Sequence, residues 1–227
     1  MPSSLVLLFI FLGLSATSLE AAVWGLNMFT IVVASILLHE FGHAWGARVQ
    51  GIAVNRVVLH GGGGFCEHRA AGAQASELIV IMGPLVNLAL WALLSLGAWA
   101  LSPSWSSAYA SQEVIDAHFA AYAVRYEVIY WLETAAYLNL IFFALNMVPV
   151  QPLDGGKLVH LWLLRVVNER WAMAIAGGLG LVSALLWLPA MLAAYYYVGF
   201  LLLFMPSVLM HWEMLRAAGR IGRMRRR

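Results

Sequence analysis

The chain has 227 residues, of which 63% are hydrophobic and only 11% are charged. A soluble domain carries about 25% charged residues, so this composition excludes a soluble globular fold, a disordered chain and a soluble nucleic-acid binder. The formal net charge of +2 gives no broad basic field, and what remains is an all-α polytopic membrane protein.

The first apolar segment, Leu5 to Ala16, is short for a membrane span. A spanning helix needs about 20 apolar residues, whereas a core of about 12 also suits a signal peptide. No Lys or Arg precedes the segment, which favours a retained first helix over a cleaved signal. Under either alternative the next span starts outside.

Longer apolar stretches follow and bring the predicted number of transmembrane helices to six. The last stretch, from Trp171 to Trp212, has 42 residues without a charged side chain. As one helix it would be about 63 Å long, twice the hydrocarbon thickness, so we predict a helical hairpin broken at Pro189. The predicted spans after the first segment are residues 23–47, 78–101, 128–148, 171–188 and 191–212.

The distribution of Lys and Arg predicts the orientation. If both termini are cytoplasmic, 12 of the 13 positive residues fall in cytoplasmic segments. The exception is Arg125, in the outer loop 102–127. The basic tail, residues 213–227, then serves as a cytoplasmic anchor near anionic lipid rather than as a nucleic-acid patch.

The motif His39-Glu40-x-x-His43 lies at the inner end of the second predicted span. Two histidines four residues apart share one helix face, so both can bind one ion, and zinc accepts imidazole nitrogens at about 2.0–2.1 Å. Glu40 lies beside that face, within reach of a water at the metal as a general base. The site lies about 24 Å from Val23 along the helix, a depth at which ionisable groups need a partner. The alternative is an interfacial histidine pair with a helix-end charge.

A second polar segment covers residues 146–157. Pro149 and Pro152 forbid a continuing helix, and irregular backbone at membrane depth is tolerated only inside protein or beside a wet cavity. Asp154 can complete a His-His-Asp zinc site and leave the fourth position for water. Alternatively, Asp154 caps a helix that begins near Lys157.

Together these motifs resemble the site-2 protease family of intramembrane zinc metalloproteases. The matching elements are His39-Glu40-x-x-His43, Gly83-Pro84-x-x-Asn87, Asn146-x-x-Pro149 and Leu153-Asp154-Gly155. The resemblance covers residues 23–160 and implies that this stretch is the catalytic core of a single transmembrane protease domain, 1–227, completed by the helical hairpin 171–212. It implies zinc bound by His39, His43 and Asp154, with Glu40 as the catalytic base. It also implies substrate contact or support of the site by Asn146 and Asn87.

A glycine-rich stretch lies between the second and third spans. Its four consecutive glycines include Gly61 and Gly62. The family has a glycine-rich stretch here, in which a short membrane-inserted β-hairpin or edge strand is believed to pair with an unwound substrate. The resemblance therefore implies substrate contact at Gly61 and Gly62. Four glycines instead of the family's two leave a flexible loop as the alternative.

The implied function is that of an intramembrane zinc endopeptidase that cuts a transmembrane segment of a membrane-tethered regulatory protein. The implied partners are a transmembrane protein substrate and the lipid bilayer, with no nucleic acid, in a bacterial or archaeal type of cell membrane. No PDZ or nucleotide-binding domain fits in the loops, and the sequence leaves the oligomeric state unknown. The alternatives are another membrane zinc protease with glutamate as third ligand, and a non-catalytic zinc-binding membrane scaffold or transporter.

The other metal-binding residue types have simpler interpretations. His60, Cys66 and His68 match no common zinc spacing. His160 and His211 lie at predicted helix ends, and we expect them to be interfacial.

Overall fold

The computed structural model describes residues 18–60, 63–104, 111–198 and 205–224. The first apolar segment, Leu5 to Ala16, lies outside these residues. The described part contains seven helices and one β-hairpin. In chain order they are α1 (Leu19–Arg48), β1 (Val54–His60), β2 (Gly63–His68), α2 (Ala73–Leu101), α3 (Gln112–Ala121), α4 (Ala123–Asn146), α5 (Asp154–Val166), α6 (Glu169–Val198) and α7 (Val208–Met224).

Four helices of the described part, α1, α2, α4 and α6, are long and apolar enough to cross a membrane. The first three contain most of the predicted spans 23–47, 78–101 and 128–148. Large apolar side chains stand exposed along these helices, including Leu93 and Tyr196. Such a surface suits a lipid environment, because apolar side chains are unfavourable in contact with water but not in contact with hydrocarbon. Six spans are not found within the described residues.

The predicted break at Pro189 is wrong. Helix α6 continues through Pro189 to Val198, and the next described helix begins at Val208. A proline removes one backbone hydrogen bond, whereas ending a helix in an apolar medium leaves several N–H and C=O groups without partners, so the helix continues. The predicted sixth span, 191–212, is therefore divided between the end of α6 and the start of α7.

Helix α7 is basic and packs along α6. The predicted basic tail, 213–227, is helical as far as Met224. The guanidinium of Arg216 lies over the Trp212 ring, 5.4 Å from its centroid, a cation–π contact that keeps a charged and an aromatic side chain together on this helix.

Helix α2 is central, because it packs against α1, α4 and α5. Its close contact with α1 depends on Gly42 and Gly46. A Cβ atom at Gly42 would lie 2.5 Å from the Met82 carbonyl oxygen, and one at Gly46 would lie 3.0 Å from the Met82 Cγ. A Gly-x-x-x-Gly pair lets two helix backbones approach directly, so the C-terminal half of α1 is held against the N-terminal half of α2.

Strands β1 and β2 form an antiparallel hairpin that packs on α1. The pairing runs from Val54 opposite His68 to His60 opposite Gly63. The hairpin predicted between these spans is therefore present, and the alternative of a flexible loop is wrong for the described residues.

The segment between α4 and α5, residues 147–153, is irregular, as its two prolines predict. We call this segment the ligand loop. Its Val150 is fully buried and packs against Ala184 and Trp187 of α6. The peptide bond between Gln151 and Pro152 is cis.

Two glycines allow the ligand loop to fold back onto the first turn of α5. A Cβ atom at Gly155 would lie 2.4 Å from the Met147 carbonyl oxygen, and one at Gly156 would lie 2.5 Å from the Val150 carbonyl carbon. Real Cβ atoms essentially never come this close, so both positions require glycine for the loop to take its observed place.

Candidate metal centre

The side chains of His39, His43 and Asp154 converge where α1 meets the start of α5. The Oδ2 atom of Asp154 lies 3.1 Å from Nε2 of His39 and 3.2 Å from Nε2 of His43, and the two Nε2 atoms are 3.1 Å apart. All three residues are buried. Within the described ranges, this is the one group of three metal-binding side chains whose ligand atoms lie within 4.8 Å of one another.

The spacing of these three atoms fits zinc. Ligands about 2.1 Å from a tetrahedral ion are separated from one another by about 3.4 Å. The observed separations of 3.1–3.2 Å are close to that value. Two nitrogens and one carboxylate oxygen are also a donor set that zinc accepts, with a fourth position left for water.

The hydrogen bonds behind the histidines determine which ring nitrogen carries a proton. Nδ1 of His43 lies 2.8 Å from the carbonyl oxygen of Ile79, and Nδ1 of His39 lies 2.6 Å from Oδ1 of Asn87. Both oxygens only accept, so each Nδ1 donates, and each neutral ring presents a bare lone pair at Nε2. Such outer partners orient metal-binding histidines.

The orientation of Asn87 is itself determined by a buried polar chain. Nδ2 of Asn139 donates to the carbonyl oxygen of Ala135 at 2.8 Å and to the Ser35 hydroxyl at 2.9 Å. Its Oδ1 therefore faces Asn87, whose Nδ2 donates to it at 2.8 Å. The Oδ1 atom of Asn87 therefore points toward His39. A backbone carbonyl of α4 thus sets the tautomer of His39 through two amides.

The consequence is electrostatic. Two lone pairs and one carboxylate oxygen face each other inside protein at about hydrogen-bond distance, and the protons of both rings are turned away from them. Acceptors without a donor between them repel one another and are costly to bury. A cation at the centre of the three atoms removes this cost, so the residues present fit a metal ion.

Gly83 of α2 leaves the space that the cluster needs. A Cβ atom there would lie 2.3 Å from Cε1 of His43 and 2.8 Å from Nε2 of His39. Gly83 belongs to the Gly-Pro-x-x-Asn element, whose Asn87 lies one turn further along the same helix. This short element therefore provides room for both histidines and the hydrogen-bond partner of His39.

The carboxylate of Glu40 is buried beside the cluster. The residue is 4% exposed, and its Oε2 atom has no hydrogen-bond partner among the described residues. Strand β2 covers it from one side, since a Cβ atom at Gly64 would lie 2.6 Å from Cγ of Glu40. A buried carboxylate with a free oxygen has its full capacity to accept a proton.

The second carboxylate oxygen of Asp154 is occupied by a lysine. Nζ of Lys157 lies 3.1 Å from Oδ1, on the side away from the histidines. Helix α5 begins at Asp154 itself, and the side chain of Asp154 contacts His39, His43 and Lys157. The alternative in which Asp154 caps a helix starting near Lys157 is therefore wrong.

The remaining candidates behave differently. Asn87 contacts His39 directly. Asn146 donates from Nδ2 to the Phe142 carbonyl oxygen of its own helix, at 3.0 Å. Gly61 and Gly62 lie outside the described residues.

Sequence reasoning missed two functional neighbours. Asn139 belongs to none of the sequence motifs, although an amide at membrane depth is itself a signal of a buried polar network. Nothing in the sequence distinguishes Gly64 from the other glycines of its run. Its contact with Glu40 depends on how the hairpin folds over α1, and no local pattern reports that.

Comparisons with known proteins agree with this geometry. The sequence model of the family described as Peptidase family M50 matches residues 27–187. Three curated relatives are similar to the chain over much of its length. They are putative zinc metalloprotease Rip3 of Mycobacterium tuberculosis (30% identical over 80% of this chain and 44% of the relative), zinc metalloprotease MJ0392 of Methanocaldococcus jannaschii (24% over 81% and 48%) and stage IV sporulation protein FB of Bacillus subtilis (31% over 56% and 36%).

Among solved structures, the site-2 protease from Methanocaldococcus jannaschii has a similar fold. The TM-score is 0.57 at 21% sequence identity, and the alignment covers 95% of this chain and 85% of that one. The chain spans about half the length of the curated relatives Rip3 and MJ0392. The three candidate metal-binding residues and Glu40 all lie within the matched range 27–187, whereas α7 lies beyond it.

Proposed function

Because the chain belongs to peptidase family M50, we propose that it is an intramembrane zinc endopeptidase. The observation that carries this proposal is the meeting of three converging ligand atoms with a buried carboxylate that has a free oxygen. We propose that His39, His43 and Asp154 hold the zinc and that Glu40 is the catalytic base. The chain is an integral membrane protein with four apolar helices in its described part.

The chemistry follows from the roles of these side chains. Zinc, when bound, supplies a Lewis acid that polarises the scissile carbonyl and lowers the pKa of water. Glu40 takes a proton from the attacking water at its free oxygen and passes it to the departing amide nitrogen. Asn87 holds the His39 ring in the tautomer that leaves Nε2 free to bind the ion.

The proposed substrate is a transmembrane segment of a membrane-tethered regulatory protein. A helical segment must unwind before a protease can reach its carbonyl carbon, and an exposed strand edge can hold the extended chain by main-chain hydrogen bonds. Strand β2 is suited to this task because Gly64 lies directly against Glu40. We propose that Gly61, Gly62 and Asn146 also contribute to substrate contact.

We further propose that both termini are cytoplasmic, because 12 of the 13 positive residues then lie inside. The chain would act as one protease unit with its catalytic core at residues 23–160, and water would reach the site from the cytoplasmic side. Reporter domains fused after residue 112 and at the C-terminus should then report opposite sides of the membrane. The same side for both would contradict this topology.

Glu40→Gln tests the proposed mechanism. Purified wild type and variant are incubated in liposomes with a reporter that carries a transmembrane helix, and the zinc content of the same samples is measured. Glutamine is nearly isosteric but cannot accept the proton, so cleavage should fall by about 10²- to 10⁴-fold with zinc retained. His43→Ala is the matched control and should lose both zinc and cleavage.

Three results would count against the proposal. Cleavage by Glu40→Gln at the wild-type rate would remove Glu40 from the mechanism. Equal zinc content in wild type and His43→Ala would remove the metal site. A wild type that holds zinc but cleaves none of a panel of transmembrane segments would favour the non-catalytic scaffold or transporter.

A further inference from the structure

A buried histidine lies outside the range that matches the protease family. His211 belongs to α7, and only 1% of its surface is exposed. The sequence predicts an interfacial position for it, and the structure adds that the residue is buried within the protein. A histidine buried among apolar helices needs a reason, because burying polar groups costs free energy unless they are paired.

The ring of His211 is seated against α6 and reaches the ligand loop. A Cβ atom at Gly180 would lie 2.1 Å from Cε1 of the ring, so glycine is required there. Nε2 of the ring accepts a hydrogen bond from the backbone N–H of Gln151 at 3.1 Å. The bond joins residues 60 positions apart in the sequence.

This bond acts on the ligand loop, which leads directly into the third proposed zinc ligand, Asp154 at the start of α5. Gln151 lies three residues before Asp154, and its backbone nitrogen would be 2.6 Å from a Cβ atom at Gly156. The peptide of Gln151 is therefore held between the His211 ring on one side and the first turn of α5 on the other. A shift of this peptide is transmitted to Asp154 through closely packed backbone.

The Nδ1 atom of His211 indicates why this position holds a histidine. Since Nε2 accepts, Nδ1 carries the proton of the neutral ring, and Nδ1 is buried with no hydrogen-bond partner among the described residues. Burial also lowers the pKa of His211, which keeps the ring neutral and its Nε2 lone pair available. An apolar side chain would fill the same space without leaving a buried N–H group unpaired. We therefore take the acceptor atom Nε2 to be the reason for a histidine at this position.

We propose that His211 is a positioning residue that holds the ligand loop so that Asp154 reaches the two histidines. The inference rests on the proposed zinc site. It assigns to α7 a part in forming that site, through one backbone hydrogen bond. His211 itself touches neither the proposed zinc ligands nor Glu40 in this role.

The test measures the zinc dissociation constant of the full chain in detergent by competition with a chelating dye. His211→Leu keeps a similar volume but removes the acceptor, and it should weaken zinc binding about tenfold, as outer-shell substitutions do. His211→Gln places an amide oxygen near the position of Nε2 and should restore most of the affinity. Thermal unfolding of the same samples identifies the folded variants.

A second pair of variants leaves His211 in place. Gly180→Ala crowds the ring and should also weaken zinc binding about tenfold. Gly178→Ala is the matched control on the same helix, because a Cβ atom there has nothing within 4 Å. This pair decides the question if His211→Leu does not fold.

Three results separate the possibilities. Wild-type affinity in folded His211→Leu, or in Gly180→Ala, would overturn the inference. Equal weakening in folded His211→Leu and His211→Gln would also overturn it, because packing rather than the acceptor would then be responsible. If His43→Ala retains zinc, the proposed metal site itself fails, which is a distinct result from failure of the His211 role alone.

Discussion

The two sides of the proposed metal centre are built by opposite means. His39 and His43 come from adjacent turns of one long helix, and each ring is held from behind by an acceptor on α2. Asp154 is the first residue of the helix that follows the irregular ligand loop, 111 residues after His43 in the chain. Its position depends on glycine contacts, on Lys157 and on a histidine from α7.

The difference shows how much of a metal site is determined by local structure. On the histidine side, helix geometry fixes the spacing, and the neighbours need only set the ring orientation. On the aspartate side nothing local fixes the position of the carboxylate, so several elements restrain it together. Substitutions on the two sides should therefore differ in their effects.

The largest effect is expected on the histidine side, from Gly83→Ala. The added methyl group would lie 2.3 Å from Cε1 of His43, in the middle of a rigid helix pair. We expect at least a 100-fold loss of zinc affinity, at the upper end of outer-shell effects, measured by dye competition. Gly97→Ala is the control on the same helix, since its nearest neighbour, Leu132 Cδ1, would be 3.8 Å away. Equal affinities in the two variants would show that the histidine side is less rigid than its contacts indicate.

A smaller effect is expected from Asn139→Leu, which removes the amide that orients Asn87. Asn87 can then turn its nitrogen toward His39, and that favours the wrong tautomer of the ring. Zinc affinity should fall about 10- to 100-fold, while Ser35→Ala, which removes only the hydroxyl partner of Asn139, should have a weaker effect. If Asn139→Leu binds zinc as wild type does, the polar chain does not control the histidine.

The smallest effect is expected on the aspartate side, from Lys157→Met. The lysine side chain is 47% exposed, and a half-exposed ion pair is screened by water, so we expect at most about a fivefold loss, equivalent to about 1 kcal/mol. Lys157→Arg keeps the charge and should bind zinc nearly as wild type does. A loss larger than that of Asn139→Leu would reverse the ranking of the two sides.

The same division explains what could be predicted from the sequence. The histidine motif can be recognised from the sequence because its two histidines and its glutamate lie within five adjacent residues, and its role in binding zinc stays a prediction. Asp154 was found only through a second motif and a family resemblance, and its contact with the histidines agrees with that interpretation. The roles of Asn139, Gly64 and His211 depend on contacts between distant elements, which leave no periodic trace in a single sequence.

The error at Pro189 has a different physical source. The rule that proline ends helices is drawn from chains in water, where solvent pairs with the exposed backbone groups. Within α6 the surroundings are apolar, and keeping the helix leaves fewer groups unpaired. Pro84 gives a second example, since it lies inside α2 and does not end that helix.

The close contact at Gly42 and Gly46 has a mechanical consequence. With backbone on backbone, α1 cannot slide along α2 by part of a turn without Met82 colliding with it. The two helices therefore move as a single rigid body that carries both histidines and Glu40. Any displacement that admits the proposed substrate must therefore be taken up outside this body, and the hairpin that packs on α1 is the adjacent element.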